Sequence, residues 1–199
     1  KPEALVDRGK PIGQSVQTAI NLLRKAFLVD KQSDAIDTKY VINAENYLST
    51  TYYANMAVHH LYQQAFIELA FSKVKLLSAD QRMEAFWQEI MDLRDLFKFE
   101  FFYPELDIHR VEIAEELERY DKNWPARLGN GGAGKLLADM TPLVSHAVLR
   151  PFAEAYSIIA DVLMAHPAGT VLEQKDIVTS ALKLGKQAFL QRRITSEES

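Results

Sequence analysis

Apolar positions along the chain recur mostly at helical spacing. Val16, Ile20, Leu23 and Phe27 fall at i, i+4, i+7 and i+11, the stripe of an amphipathic helix. Pro11 and Gly13 open it, and the polar run Asp30 to Asp37 reads as a loop. A second helical region is expected from about Asn43 to Leu77, with a break near Ser49-Thr50-Thr51 because of its length. Ser78-Ala79-Asp80-Gln81 has the form of a capping box, and the helix it starts carries Met83, Phe86, Ile90, Leu93 and Phe97. Phe97, Phe99 and Phe101 alternate with charged residues, a strand-like period, yet Leu93, Phe97 and Phe101 also share one helical face. The helix is the favoured reading, stopping before Pro104.

Asp107 to Asp121 predicts an amphipathic helix with Ile108, Val111, Leu117 and Tyr120 on its apolar face. Asn123-Trp124-Pro125 ends it, and the glycine-rich residues 128–135 read as a mobile surface loop. Thr141-Pro142 suits a helix start, and the helix runs to about Ala165, kinked or split at Pro151. After the turn His166-Pro167-Ala168-Gly169, Thr170 and Glu173 suggest another capping box. The last helix spans about Leu172 to Arg193, with Gly185 a weak point. The expected fold is all-α: a single domain over 1–199, an irregular bundle of six to eight helices with little or no sheet.

Composition changes this picture little. A chain of 199 residues with 48% apolar and 25% charged residues has an ordinary globular balance. A net charge of −4 gives no electrostatic footprint for nucleic acid. The absence of cysteine excludes disulfides, thiolate zinc sites and cysteine nucleophiles. No run reaches the roughly 18 apolar residues of a membrane span; Glu68 interrupts the best candidate, Ala65 to Phe71. The start at Lys1 without Met, and the stop at Thr195 to Ser199 just past a basic helix end, read as a piece of a longer protein, with a processed N-terminus as the alternative.

The candidate chemistry is sparse. Gly129 to Lys135 nearly matches a phosphate-binding loop, but Leu136 stands where a magnesium-binding Ser or Thr is needed, and no strand feeds it. A flexible connector is the favoured account. His59 and His60 lie in a tyrosine-rich apolar segment; neighbours on a helix point about 100° apart, which argues against one shared metal ion. Tyr52, Asn55 and His59 share a helical face at i, i+3 and i+7, as suits a hydrogen-bonded cluster packed against another helix. His109, Arg110 and Glu112 read as a solvated face. Ser145, His146 and Asp139 are close in sequence, but side chains adjacent on one helix diverge, whereas a nucleophilic triad must converge. The aromatic cluster from Phe86 to Tyr103 reads as core, with room for an apolar docking patch.

Three segments together carry a resemblance. Tyr47-Leu48-Ser49-Thr50-Thr51-Tyr52-Tyr53-Ala54-Asn55 through His59-His60, then Leu96-Phe97-Lys98-Phe99-Glu100-Phe101-Phe102, then Val144 to Phe152 with Glu154-Ala155-Tyr156, resemble the region downstream of the catalytic domain in bacterial, actinobacterial-type sn-glycerol-3-phosphate acyltransferases. The segment from Gly185 to Ser199 is similar to their near-terminal part, so the resemblance covers most of residues 40–199. It implies an enzyme that moves an acyl group from acyl-CoA or acyl carrier protein to the 1-hydroxyl of glycerol-3-phosphate, yielding lysophosphatidate. The parent would work in phospholipid synthesis at the cytoplasmic face of a bacterial membrane. The family's general base is the His of an H-x-x-x-x-D motif. Five residues after His59, His60, His109, His146 and His166 stand Gln64, Ala65, Ala114, Pro151 and Val171. The catalytic pair is therefore absent here, and no catalytic, cofactor-binding or metal-binding residue is carried over. The resemblance implies a C-terminal accessory domain, inactive alone, whose partner is the N-terminal acyltransferase domain. Tyr52, Asn55 and His59 are the expected interdomain contacts. The alternative is a stand-alone helical module that binds a ligand or dimerises, such as the effector domain of a transcriptional regulator.

Overall fold

A computed structural model describes residues 12–33, 38–46, 49–50, 52 and 58–195. The backbone groups into two compact units, Lys1–His60 and Leu61–Ser199.

In the first unit, helix α1 (Ile12–Lys25) ends as Phe27 turns to φ 59°, left-handed for a non-glycine residue. The Asn46 side-chain amide donates to the Phe27 carbonyl at 2.7 Å and holds that turn. The polar run expected as a loop begins instead with a strand. Strands β1 (Asp30–Ser33) and β2 (Thr38–Val41) form an antiparallel pair, Asp30 opposite Val41 and Ser33 opposite Thr38. The physical reason is cross-strand pairing: Ser33 and Thr38 hydroxyls bond at 3.3 Å, and Asn43 donates to Asp30. A 3₁₀ turn, Ala44–Asn46, follows.

The second unit is built around helix α2 (Tyr62–Val74), which buries eight of its thirteen residues. A helix buried over most of its surface is a core helix, and α2 meets four others: α3 (Ala79–Leu96), α4 (Leu106–Glu118), α6 (Ala133–Asp139) and α7 (Ser145–Val148). Helix α5 (Trp124–Gly129) packs against α3 and α6. Helices α8 (Arg150–Met164) and α9 (Gln174–Leu190) form a hairpin around Ile158, Ala188 and Ile194. The described residues thus hold nine α-helices and one small sheet, an all-α fold with more and shorter helices than expected.

Several boundaries differ from the expectation. The His59-His60 pair lies in a turn before α2, not inside one continuous helix. Residues 128–135 form the end of α5 and the start of α6, not a loop. Glycine is needed at the corner between them, because Gly131 has φ 88° and a Cβ on Gly132 would lie 2.6 Å from the Arg127 carbonyl oxygen. Pro151 splits the long helix as anticipated, standing in the first turn of α8. Thr141-Pro142, however, is a cis peptide upstream of α7, and Thr141 donates its hydroxyl back to Ala138 rather than capping a helix. Ser78 does start α3, but its hydroxyl meets the Gln81 side chain instead of a backbone amide.

Candidate functional site

Of the three residues expected at a domain contact, Tyr52 is 65% exposed and His59 is half-buried. Asn55 lies outside the described residues. The polar groups that organise the second unit lie elsewhere, on α2 and α4.

Glu68 is the first. It is 2% exposed, on the innermost helix. A lone carboxylate there would be prohibitive, but its two oxygens accept the backbone N–H groups of Val144 and Ser145, both at 2.8 Å. These are N-terminal donors of α7 without a helical partner. The Gln64 amide donates to Glu68 at 3.0 Å and to the Pro142 carbonyl at 3.1 Å. Two side chains one helical turn apart therefore clamp the loop that leads into α7. The residue that interrupts a candidate membrane span in sequence is a helix cap in space.

His109 is the second. It is fully buried, whereas the sequence placed it on a solvated face. Helix α4 is rotated relative to the expectation: His109, Ile113 and Leu117, at i, i+4 and i+8, face inward, and Ile108 and Val111 are more than half exposed. The reason is the flat surface offered by neighbouring rings. Tyr62 stacks on the imidazole with centroids 6.0 Å apart, and Tyr103 meets it edge-on at 5.7 Å. Neither ring nitrogen has a hydrogen-bond partner in the protein. Burial, and secondarily the nearby Arg94 guanidinium, hold the imidazole neutral, with its pKa lowered to about 4. Arg94 donates to the Pro104 carbonyl at 2.9 Å and lies over the Tyr103 ring at 5.2 Å. The Tyr103 hydroxyl donates to the Phe97 carbonyl, and burial raises its pKa.

The aromatic run after α3 divides in two. Phe97 and Phe101 are buried, and Tyr156 of α8 stacks on Phe97 at 5.8 Å. The Tyr156 hydroxyl donates to Glu100 at 2.6 Å; burial, then this carboxylate, pushes its pKa up to about 12. Phe99 and Phe102, expected in the core, are 85% and 88% exposed. The alternation was visible in sequence; the face of the turn that points outward was not.

The remaining candidates resolve into structural contacts. Asp139 accepts from Arg127 at 2.7 Å, and the same guanidinium holds Asp121 at 2.6 Å. Ser145 and His146 are consecutive in the single turn of α7, with Ser145 bound through its N–H to Glu68. The N–H groups of Gly131 and Gly132 are spent on the carbonyls of Leu128 and Arg127, so this corner is no phosphate cradle. Among the described residues no group of three His, Asp or Glu side chains could hold a metal ion. Among the same residues no helix is long and apolar enough to cross a membrane.

Comparison with known proteins assigns the family. The family model of the glycerol-3-phosphate acyltransferase C-terminal region matches residues 3–199. Proteins described as putative acyltransferase plsB1, from Mycobacterium bovis and Mycobacterium tuberculosis, are 32% identical over 164 residues, 79% of this chain. The chain spans about a quarter of the length of these relatives, 26%. No solved structure matches it. The chain belongs to the family of glycerol-3-phosphate acyltransferase C-terminal regions.

Proposed function

We propose that this chain is the accessory C-terminal region of an sn-glycerol-3-phosphate 1-O-acyltransferase. The parent transfers an acyl group from acyl-CoA or acyl carrier protein to glycerol-3-phosphate, giving lysophosphatidate for phospholipid biosynthesis. It works as a peripheral protein at the cytoplasmic face of a bacterial membrane. The family match over residues 3–199 is the observation that carries this reading. Two others support it. No histidine here has an Asp five residues on, so the base of this reaction lies outside the chain. Helix α1 and the turn after it leave Leu22, Leu23 and Phe27 exposed, apolar area suited to cover by another domain.

The role of the region is support. It packs against the acyltransferase domain, with Tyr52, Asn55 and His59 at the contact, and shapes the acyl-donor cleft from outside. The test is made in the intact enzyme, by introducing Asn55→Ala with His59→Ala. The expected result is a lower melting temperature and at least a several-fold loss of acyl transfer to glycerol-3-phosphate, with the region itself still helical. Unchanged melting and unchanged transfer would remove these residues from the contact. The chain alone is expected to show no transfer with either donor; turnover by the chain alone would overturn the accessory reading.

A further inference from the structure

The corner between α3 and α4 borders an open cleft of about 500 Å³ that the reading above does not use. This is the size of an ordinary small-molecule site. Its lining joins two unlike surfaces. Met91, Phe101, Phe102 and Leu106 supply apolar area, Arg94 of α3 and Lys98 of the turn that follows it supply two cations, and Asp95 and Tyr103 complete the lining. Phe101 is buried and forms a floor; Phe102 and Leu106 are 88% and 52% exposed and form a rim.

The charge is fixed on one side and adjustable on the other. Arg94 is held by the Pro104 carbonyl and the Tyr103 ring, and among the described residues it forms no ion pair. Its Nε is buried without a hydrogen-bond partner. Its field reaches His109, whose protonation it disfavours. Lys98 is 52% exposed, meets Asp95 at 3.2 Å in an i,i+3 surface pair and lies over the Phe99 ring, 5.5 Å from its centroid. Such a pair is weak and easily exchanged for a better anion. The nearest other carboxylate on this turn, Glu100, is engaged by Tyr156. A fixed guanidinium and a mobile ammonium beside an aromatic floor match a molecule with a compact anionic head and one apolar tail.

We propose that this cleft binds a single-chain amphiphilic anion, its phosphate or carboxylate between Arg94 and Lys98 and its chain over Phe101 and Phe102. Both fatty acids and lysophosphatidate have this chemistry. The site does not depend on the accessory role proposed above, since binding is a property of the chain's own residues. The cleft is lined by α3, the turn after it and the start of α4, with no strand among these described residues, so it offers no strand edge to a peptide.

The experiment is calorimetric titration of the chain with dodecyl phosphate, dodecanoate and dodecyl maltoside, each below its micellar concentration. Saturable binding at one site is expected for at least one of the anions, at least tenfold tighter than for the neutral maltoside. Tighter binding of the phosphate points to a lysophospholipid, and tighter binding of the carboxylate to a fatty acid. Lys98→Gln and Phe102→Ser, both at exposed positions that leave the core intact, should each weaken binding at least tenfold with the circular dichroism spectrum unchanged. Equal affinity for the maltoside, or variants that bind like the parent chain, would overturn the proposal. So would binding to phosphatidylglycerol vesicles with no saturable uptake of the monomeric anions, which would make this corner a membrane face.

Discussion

At the residue scale, stability rests on two buried polar groups handled in opposite ways. Glu68 is fully engaged, with two backbone N–H groups and the Gln64 amide. Removing it strands the half-buried amides of Val144 and Ser145, so Glu68→Ala should cost about 1–3 kcal/mol in urea denaturation. His109 is neutral and unpaired. Its folded pKa lies below the unfolded value, so the unfolded chain binds a proton that the folded chain refuses. Stability is therefore unaffected above pH 6.5 and falls as the pH drops from 6.5 toward 4, by an amount on the order of 2–3 kcal/mol. His109→Leu fills the same space without two unpaired nitrogens. It should match or exceed the parent at pH 7, and flatten the decline between pH 6.5 and 4, measured by denaturant melts across that range. An unchanged decline would place the acid sensitivity on other groups. Neither role was legible in sequence. Glu68 showed only as a charge in an apolar run, since its partners lie 76 and 77 residues away. His109 looked solvated because Ile108 and Val111 suggested the wrong inward face.

At the element scale, local signals worked where the cause was local. Pro151 cannot sit inside a helix, and α8 begins around it. The stripe Phe86, Ile90, Leu93 and Phe97 is the buried face of α3, as its spacing implied. Signals failed where long-range contacts decided. The hairpin of β1 and β2 lacks an apolar alternation to announce it; its residues are nearly all exposed, and side-chain hydrogen bonds hold it. The glycine run between Leu128 and Lys135 read as a mobile surface loop, but it serves a tight helix–helix corner. Gly132→Ala tests this. The added Cβ presses on a backbone carbonyl that cannot swing away, and overpacking of this kind costs about 1–3 kcal/mol. Gly134→Ala, with open space around its would-be Cβ, should be neutral or slightly stabilising in the same thermal melts, because alanine favours helix.

At the scale of the whole molecule, the second unit has a tight centre and a loosely dressed exterior. Helix α2 is wrapped by its neighbours, but the α8–α9 hairpin exposes Ile159 and Leu163 on one helix and Val178 and Leu182 on the other. The hairpin is closed at its far end by Thr195, whose N–H and hydroxyl both bind Glu154. The family was legible from short segments, and several of their described residues are structural. The buried Phe97 and Phe101, Pro151, and Tyr156 with Glu100 hold helices together. That explains why the resemblance could name a region without naming a catalytic group.

The bond between Tyr156 and Glu100 has a mechanical side. It fastens the hairpin to the turn that carries Phe99 and Phe102, so force applied to one is felt at the other. A protein surface that grips the hairpin thereby holds a handle on the α3–α4 corner. Tyr156→Phe cuts the handle while leaving the ring stacked on Phe97, at a cost of about 1–2 kcal/mol. Amide hydrogen exchange at residues 97–103 should then quicken at least severalfold, with α2 unaffected; equal exchange in both proteins would mean that the corner stands without the hairpin's support.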